Sequence, residues 1–340
     1  MKVFSFVVII GLIGSCVCVP TESIHNTDSY KNEWKSFSHF MHKYNKVYSS
    51  MEEMRDKFTN FSKNYKNIVE HNMELNNTFS LRLNEYADMS QDDFRNYMLG
   101  YNGNTLKMSS NEGCDTFTRN ENVEVPVSVD WREHNAVTPI KNQGQCGSCW
   151  SFSATGAMEG AWAIKSGNLV SLSEQQLVDC SGSFGNQGCN GGLMDYAFEY
   201  AIENGMCTEE EEPYEGKDDN CKKCAAAVHF TKCMDVTPNN QIDLKSAVAQ
   251  QPISVAIEAD TFTFQFYNSG VLSSKDCGTN LDHGVLVVGY GSENGNDYWL
   301  VKNSWGSSWG DSGYVKILRS DSADDQGICG IAMSASFPLV

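Results

Sequence analysis

The cysteine at position 149 has the residue type and the local setting of a covalent nucleophile. The run from Gln143 to Trp150 is Gln-Gly-Gln-Cys-Gly-Ser-Cys-Trp, and small and apolar residues then recur at helical spacing as far as Ala161. This spacing predicts a helix that begins at or just before Cys149. Because the thiolate is the reactive form of cysteine, a helix N-terminus and a nearby imidazolium would activate Cys149 by lowering its pKa.

Two downstream segments supply candidate partners for this thiol. His283 lies in Leu-Asp-His-Gly, and Asn303 lies in Lys-Asn-Ser-Trp-Gly. They follow Cys149 by about 130 and about 150 residues, the order and spacing of a cysteine–histidine–asparagine constellation. Taken singly, such a cysteine is more often half of a disulfide, such a histidine a structural group and such an asparagine a turn residue. Together they indicate nucleophilic catalysis.

The elements that must position these residues change along the chain. Ser173 and Gln176 have the spacing of a capping box that opens a second helix through Val178. Strand-like apolar runs punctuated by glycines and Asn-Gly turns come later, at residues 253–257, 285–290, 298–302 and 314–318. The sequence therefore predicts a helix-rich half followed by a β-rich half, with a site in the cleft between them.

A polar segment precedes this region, from Thr21 to about Asn122, and it contains one cysteine, Cys114. The composition changes near Val125, which places a domain boundary close to residue 124. Within the segment six residues recur at steps of three or four, which lines one face of a predicted helix. These residues are Glu53, Lys57, Phe61, Asn64, Ile68 and Asn72.

The first residues favour a removable signal peptide over a membrane anchor. Met1-Lys2 is followed by a short apolar run from Val3 to Val19, with small residues near Cys16 to Cys18 and no second apolar span downstream. Export to an oxidising compartment would commit most of the 13 cysteines to disulfides. The formal net charge of −18 repels phosphate backbones and anionic lipid, so we expect neither nucleic-acid binding nor membrane association after signal removal.

The Cys-Gly-Ser-Cys-Trp signature, with His283 and Asn303 in order, resembles the papain family and, within it, the cathepsin L-like enzymes. The resemblance implies an α+β fold with two lobes, a helical left lobe and a β-barrel-like right lobe, an active-site cleft between them, and a helical prosegment in front. The implied domains are a signal peptide at 1–18, an inhibitory prosegment at 19–124 and a mature peptidase domain at 125–340. Within the latter, the helical lobe spans about 125–240 and the β-rich lobe about 241–340.

The resemblance also implies the roles of the site residues. His283 would hold Cys149 as a thiolate–imidazolium pair and later protonate the leaving amine, while Asn303 orients the imidazole. The Gln143 side chain and the Cys149 backbone N–H would stabilise the oxyanion. Trp305 would shield the hydrogen bond between His283 and Asn303 from water.

Substrate-binding positions follow from the same resemblance. Gly191 and Gly192 would let a substrate backbone lie alongside as an added strand. The implied second subsite carries no charged residue, which predicts a bulky apolar residue two positions before the scissile bond. Its lining residues are Leu193, Met194, Ala256, Leu281 and Ser334. The chain lacks a His-His insertion of the kind that blocks the cleft in exopeptidases, so we expect an endopeptidase.

The helical face at residues 53–72 is similar to the inhibitory prosegment of the cathepsin L-like branch, with Lys57 where that pattern has arginine. The second prosegment motif, Gly-x-Asn-x-Phe-x-Asp, is represented by Arg82, Asn84, Tyr86 and Asp88. Our hypothesis is that acid protonates carboxylates such as Glu53 and Asp88, loosens the prosegment, and permits cleavage near Val125.

The resemblance implies three disulfides, Cys146 with Cys189, Cys180 with Cys221 and Cys277 with Cys329. Cys207, Cys224 and Cys233 remain unassigned: they allow one further bridge plus a free thiol, and Cys224 could replace Cys221. For glycosylation, Asn76 is a better candidate than Asn60, because Phe61 in the Asn60 sequon should be partly buried.

Three other functions remain open. The pairs Cys146/Cys149 and Cys221/Cys224 are Cys-x-x-Cys motifs of the kind found in redox proteins, although no βαβ setting accompanies them. Zinc binding is a second alternative, but the histidines lack paired ligand spacing, so we expect no metal and no cofactor. A catalytically silent binding protein is the third. The expected partners are protein and peptide substrates, the chain's own prosegment and cystatin-type inhibitors, for a monomer in a lysosome, another acidic vesicle or the extracellular space.

Overall fold

This computed structural model describes residues 21–101 and 113–340, in which most of the long helices precede residue 205 and most of the strands follow residue 252. The predicted signal peptide at residues 1–18 lies outside the described residues. The helices are α1 Thr21–Lys43, α2 Met51–Met73, α3 Gln91–Met98, α4 Cys149–Ser166, α5 Glu174–Cys180, α6 Met194–Asn204, α7 Gln241–Val248 and α8 Phe262–Gln265. The strands are β1 Phe79–Leu81, β2 Asp115–Thr116, β3 Val129–Asp130, β4 Lys232–Asp235, β5 Ile253–Ile257, β6 Tyr267–Leu272, β7 His283–Glu293, β8 Asn296–Lys302, β9 Tyr314–Leu318 and β10 Ala335–Leu339.

One sheet runs through the β-rich half and into the segments around it. Its strand order is β1-β6-β9-β8-β7-β5-β10-β4-β2, and β3 pairs with β7. The β7–β8 hairpin turns at Asn294 and Gly295, which both have positive φ, as an Asn-Gly turn requires. The expected α+β class is confirmed. The expected barrel is an open sheet, because both terminal strands, β1 and β2, belong to the segment before Val125 and do not pair with each other.

The apolar interior is divided into two clusters. One cluster lies in the helical half and includes Trp150, Met158 and Phe198. The other joins the β-rich half to the prosegment, for example where Phe94 of α3 meets Trp305 edge-on with ring centroids 5.2 Å apart. The helical prosegment therefore shares its core with the β-rich half of the peptidase domain.

Helix α4 is packed tightly between the two halves. Its glycines Gly156 and Gly160 face Leu286 and Pro252 so closely that a Cβ on either glycine would come within 2.6 Å of those side chains. Glycine at these positions lets α4 approach the sheet, and this fixes Cys149 at the start of α4 against His283 at the start of β7.

Five disulfides lie within the described residues. Three are the pairs that the resemblance implies, Cys146–Cys189, Cys180–Cys221 and Cys277–Cys329. The cysteines left unassigned from the sequence form Cys207–Cys224 and Cys114–Cys233. The odd number arose from considering the peptidase domain by itself, because the partner of Cys233 is in the prosegment. Cys149 is the free cysteine in the described part of the chain.

Candidate active site

Cys149 is the first residue of α4, and its thiol is buried. The backbone N–H of Gly284 donates a hydrogen bond to Cys149 Sγ over 3.3 Å. Burial raises the pKa of the Cys149 thiol to about 12, and the backbone N–H groups of Gly284, Gly100 and Trp150 offset only part of that shift. The thiol is therefore protonated as long as the site stays closed.

His283 and Asn303 are joined by a hydrogen bond of 2.8 Å between His283 Nε2 and Asn303 Oδ1. Asn303 Oδ1 also accepts the backbone N–H of Ser304 over 2.8 Å, which holds the amide in place. The indole of Trp305 lies over the imidazole with ring centroids 4.6 Å apart, and Trp305 is fully buried. Since the Asn303 oxygen is an acceptor, Nε2 carries a proton and Nδ1 is the nitrogen available to a reacting group.

Burial also lowers the pKa of His283 to about 4, against a smaller opposing effect of the Asn303 hydrogen bond. His283 Nδ1 has no hydrogen-bond partner among the described residues. With Cys149 shifted upward and His283 shifted downward, both groups are neutral between about pH 4 and pH 12. The described conformation thus lacks the charged pair that a reactive thiolate needs.

Gln143 is fully buried and held on three sides. Its backbone N–H donates to the Ser304 carbonyl over 2.9 Å, and the Ser304 hydroxyl donates to Gln143 Oε1 over 2.7 Å. Its side-chain Nε2 donates to the carbonyls of Cys146 and Met98, each over 3.0 Å. Because Met98 is a prosegment residue, a prosegment carbonyl occupies the donor that would stabilise an oxyanion.

The prosegment continues from Met98 through the cleft beside Cys149. The carbonyl of Gly100 accepts the Gly192 N–H over 3.0 Å, and the Tyr101 N–H donates to the Asp282 carbonyl over 3.0 Å. A Cβ on Gly100 would collide with the carbonyl group of Gly147, so only glycine fits there. Tyr101 pairs with Gly192 as a parallel bridge. The cleft is filled by this chain's own backbone.

The side chain of Tyr101 enters the apolar cluster that contains Met194, Ala256 and Leu281. Its hydroxyl lies 2.9 Å from Ser334 Oγ. Leu193, the residue before α6, is buried outside that cluster. Three predicted subsite residues, Met194, Ala256 and Leu281, therefore share an apolar cluster with this prosegment tyrosine, and a fourth, Ser334, contacts its hydroxyl.

Glycine is required at both predicted cleft positions, 191 and 192, by the backbone conformation or by the space available. Gly191 has φ of 110° and ψ of 173°, a region that glycine alone adopts readily. Gly192 has no room for a side chain, because a Cβ there would press on the Trp150 indole at 2.8 Å. Packing and backbone conformation therefore require both glycines even without a substrate.

The predicted face of helix α2 packs against other parts of the prosegment. Phe61, Asn64 and Ile68 of that face are buried. Asn64 Nδ2 donates to the Ala87 and Met89 carbonyls over 3.0 and 3.2 Å, and exposed Asn72 exchanges two hydrogen bonds with the backbone of Leu81. These amides fix the chain that carries the second prosegment motif.

The outer end of the same face carries charge. Lys57 lies 3.3 Å from Asp93 Oδ2, so the lysine that replaces arginine keeps a single-point ion pair. Glu53 accepts hydrogen bonds from the Ser49 hydroxyl and N–H, which lower the pKa of its carboxyl group. Ionised Glu53 is thus favoured down to a lower pH than an unbonded carboxylate.

The second motif lies on the β-rich half. Asn84 Nδ2 donates to the Gln265 carbonyl over 2.7 Å, and Arg82 donates to the carbonyls of Ser308 and Gly310. Arginine in place of glycine therefore adds contacts to the peptidase domain.

Asp88 is the buried charge of the second motif. Its carboxylate accepts from Tyr48 over 2.9 Å and pairs with Lys46 over 3.2 Å, and only 4% of its side chain is exposed. A carboxylate with two such partners is a structural support of the prosegment.

A buried ionic network lies behind the site. Lys141 contacts Glu159 and Glu174 at 2.9 and 2.6 Å, while Lys302 donates to Thr138, which in turn donates to Glu159. A cavity of about 20 Å³, room for one water, separates this network from Gly284 and Asn303. The network joins α4, which carries Cys149, to β8, which ends just before Asn303.

Sequence reasoning missed this network and the inhibitory contacts of residues 98–101. The one available signal for the latter was a glycine, Gly100, which follows the second motif within the predicted prosegment. Asp282 was also missed. Burial raises the pKa of its carboxyl group to about 8, although the Ala259 N–H donates to it over 2.8 Å.

The redox and metal alternatives lack the free thiols they need. Cys146, Cys221 and Cys224 each form a disulfide outside their own Cys-x-x-Cys motif. The sulfurs of Cys207 and Cys224 lie near the Glu212 carboxylate, but they are bonded to each other and are not thiolates. Within the described ranges, the helices are too short or too polar to cross a bilayer.

Comparison with known proteins shows which family this chain is similar to. A model of the papain family of cysteine proteases matches residues 125–339, and a model of the cathepsin propeptide inhibitor domain matches residues 37–94. The cathepsin L-like peptidase of Aedes aegypti is 49% identical over 323 residues, which cover 91% of this chain and 93% of that protein. Procathepsin L of Mus musculus is 47% identical over 291 residues, covering 82% and 84%. The solved structure of digestive procathepsin L 3 from Tenebrio molitor larval midgut is 41% identical with a TM-score of 0.81, covering 91% of this chain and 99% of that one.

Proposed function

This chain belongs to the papain family of cysteine proteases and carries a cathepsin propeptide inhibitor domain, and we propose that it is the precursor of an endopeptidase whose nucleophile is Cys149. The observation that carries the proposal is that the Cys149 thiol lies at the backbone of the residue after His283, whose ring is in turn bonded to Asn303. Cys149 begins α4, the residue after His283 donates to its sulfur over 3.3 Å, and Asn303 lies 2.8 Å from the His283 ring.

In the proposed reaction, removal of the prosegment admits water and substrate, and the proton of Cys149 moves to His283. The thiolate attacks the substrate carbonyl carbon, and the resulting oxyanion accepts hydrogen bonds from Gln143 Nε2 and the Cys149 backbone N–H. The His283 imidazolium then protonates the leaving amine, which gives a thioester. His283 next removes a proton from water, hydroxide attacks the thioester, and Cys149 leaves as thiolate.

Asn303 and Trp305 act on His283 rather than on the substrate. Asn303 Oδ1 accepts a hydrogen bond from Nε2–H and so fixes the ring, which leaves Nδ1 as the nitrogen that exchanges a proton with the thiol, while the buried Trp305 indole excludes water from that hydrogen bond. A neutral acceptor leaves the imidazole less basic than a carboxylate would.

The second subsite of the proposed enzyme accepts a bulky apolar or aromatic side chain. Support comes from Tyr101, which packs against the apolar cluster that contains Met194 and Ala256 and whose hydroxyl lies 2.9 Å from Ser334 Oγ; Leu281 packs against the same cluster. We take the Tyr101 side chain as a guide to the size and polarity of the substrate side chain that this subsite accepts. The prosegment backbone at Tyr101 runs parallel to the strand segment at Gly192, so Tyr101 is a guide to the side chain alone and not to the direction of the substrate backbone.

We propose activation by acid, which protonates prosegment carboxylates such as Glu53 and Asp88, loosens the prosegment and permits cleavage near Val125. The carboxylate of Asp88 is buried against Lys46 and Tyr48, so its protonation removes a charge-assisted contact of the prosegment. Glu53 accepts hydrogen bonds from Ser49 that lower the pKa of its carboxyl group, so its protonation needs a lower pH than that of an unbonded glutamate.

The remaining proposals concern location and partners. We place the protein in the secretory pathway, in a lysosome, another acidic vesicle or the extracellular space, as a monomer inhibited in trans by cystatin-type proteins. Asn76 is exposed and suits glycan attachment, whereas the Asn60 side chain is half-buried near the Asp88 carbonyl.

The test is hydrolysis of a fluorogenic dipeptide with Phe then Arg before the scissile bond, at pH 5 with thiol. Acid-activated wild type should be active, and a thiolate-alkylating epoxide should abolish the activity. Cys149→Ala should be inactive, while Gln145→Ala, on an exposed loop residue, should match wild type. Activity in processed Cys149→Ala, or none in processed wild type, would refute the proposal.

A further inference from the structure

The disulfide between Cys114 and Cys233 joins the prosegment to the peptidase domain across 119 residues of sequence. It is the one bridge between these two parts among the five disulfides of the described ranges. The bond near Val125 lies on the C-terminal side of Cys114. It also lies on the C-terminal side of residues 98–101, which fill the cleft. After the peptide bond near Val125 is cut, the disulfide therefore still links the fragment that contains residues 98–101 and Cys114 to the peptidase domain.

We propose that this disulfide keeps the cut prosegment attached to the peptidase domain, so that its release requires thiol–disulfide exchange as a second activation step. The inference rests on the proposed function, in which a precursor is processed near Val125. It assigns to Cys114 and Cys233 a regulatory role in place of a purely structural one.

The non-covalent contacts around the disulfide are few. Strand β2 has two residues and pairs in parallel with β4, and the Phe117 N–H donates to the Asp235 carbonyl over 2.7 Å. The Phe117 ring meets Phe337 edge-on at 5.5 Å. The ion pairs of Asp115 with Lys232 and of Arg119 with Asp243 are both 3.4 Å long, and the first is half exposed to solvent. Such contacts orient the segment, and the covalent bond is what retains it.

Attachment changes how well the cut prosegment inhibits. A free prosegment is diluted into the surrounding volume after cleavage, whereas a tethered one stays near the cleft at an effective concentration in the millimolar range. The large contact of the prosegment with the β-rich half, including Phe94 on Trp305, would then re-form after each dissociation. Hydrolysis alone would leave the enzyme inhibited.

The release step needs a small thiol as reductant. Cys114 is partly exposed and Cys233 is 4% exposed, so an incoming thiolate reaches Cys114 Sγ. Attack there forms a mixed disulfide with Cys114 and breaks its bond to Cys233, which leaves as a thiolate and takes up from solvent the proton that the small thiol lost on ionising. A second thiol can then reduce the mixed disulfide and leave as the oxidised small disulfide.

The first experiment uses the Cys149→Ala precursor, which removes the catalytic thiol and with it any other need for reductant. A trace of pre-reduced, desalted active enzyme cuts it at pH 5, and the products are compared by denaturing electrophoresis and intact mass without and with reductant. The expected product without reductant has the precursor mass plus one water, and with reductant it gives two chains. The same precursor with Cys114→Ser and Cys233→Ser should give two chains under both conditions.

A second experiment measures release in the active protein. The Cys114→Ser/Cys233→Ser precursor should release its prosegment at least about tenfold faster than wild type at the lowest thiol concentration that keeps Cys149 reduced. Equal rates would overturn the proposal, as would a free prosegment in the non-reduced Cys149→Ala digest or a cut that removes residues 21–101 ahead of Cys114. Failure of the proposed function would look different, because the processed double variant would not hydrolyse the dipeptide at any thiol concentration.

Discussion

The hydroxyl groups of Tyr101 and Ser334 lie 2.9 Å apart, one on the prosegment and the other just before β10. The hydrogen bond lies beside an apolar cluster, because Tyr101 packs against the cluster to which Met194 and Ala256 belong, as does Leu281. The proposed second subsite thus combines an apolar wall with one hydroxyl that can recognise a phenol.

This contact predicts a measurable preference of the active enzyme for tyrosine over phenylalanine at the second position. Ser334→Ala should lower kcat/KM for a Tyr-Arg substrate by about 2- to 10-fold, the value of one net hydrogen bond, and leave a Phe-Arg substrate nearly unchanged. The Phe-Arg substrate is the internal control. Equal losses on both substrates would mean that Ser334 shapes the pocket without contacting the phenol.

Gln143→Ala should lower kcat by about 10²- to 10³-fold in the processed enzyme, because the amide donor acts on the oxyanion and not on the ground-state peptide. Loss of the donor to the Met98 carbonyl should also weaken inhibition by a free prosegment peptide. Steady-state kinetics of Gln143→Ala and of the exposed-loop control Gln145→Ala separate the two effects. A change in KM alone would remove Gln143 from the oxyanion role.

The prosegment should protect Cys149 from alkylation in two ways: it covers the thiol, and it keeps the thiol protonated. In the precursor a thiol with a pKa of about 12 is ionised to only about 10⁻⁵ at pH 7, and His283, with a pKa of about 4, is neutral. Iodoacetamide should therefore modify the precursor at least about 100-fold more slowly than the processed enzyme. The precursor rate should rise with pH up to the limit of its stability, while the processed enzyme should show a plateau set by a thiolate–imidazolium pair. Similar rates and profiles for both forms would contradict the shifts in the closed site.

Local sequence patterns predicted most of the elements, because amphipathic helices and alternating or apolar strands leave a direct periodic trace. Residues 253–257 and 314–318 coincide with β5 and β9, and Ser173 accepts the Gln176 N–H as the N-cap of α5. Contacts between residues that are far apart in sequence could not be predicted from local patterns. The pairing of Cys114 with Cys233 depends on β2 lying beside β4, and the passage of residues 98–101 through the cleft depends on how three prosegment elements dock.

Asp88→Asn should make processing less dependent on acid. The substitution keeps an oxygen to accept from Tyr48 but removes the charge that pairs with Lys46 at 3.2 Å, as protonation of the wild-type carboxylate would. Processing at pH 7 should approach the rate that wild type shows at pH 5, measured by the appearance of the mature chain over time. Asp56→Asn, on the exposed side of α2, is the matched control and should behave as wild type. An Asp88→Asn precursor that still requires acid would assign the pH trigger to another group.

Glu159→Gln should destabilise the fold without touching the cleft, by about 3–5 kcal/mol, because it removes the buried carboxylate that pairs with Lys141 and stabilises the charged form of Lys302. Glu159 is 1% exposed on its side chain, and it is the largest influence that holds up the pKa of Lys302, which burial lowers to about 8. A folded-state lysine pKa below its unfolded value means that the unfolded chain binds more protons between about pH 8 and pH 10.5, so stability rises with pH across that window. In Glu159→Gln the pKa of Lys302 should fall further, because the Glu159 charge that raises it is gone. The pH range over which stability rises should therefore begin at a lower pH than in wild type. Urea unfolding in a Cys149→Ala background at pH 7 and pH 9 measures both effects, and Glu203→Gln on the exposed side of α6 controls for loss of one carboxylate. A Glu159→Gln midpoint equal to that of Glu203→Gln at both pH values would show that the network behind the site is not what holds α4 and β8 together.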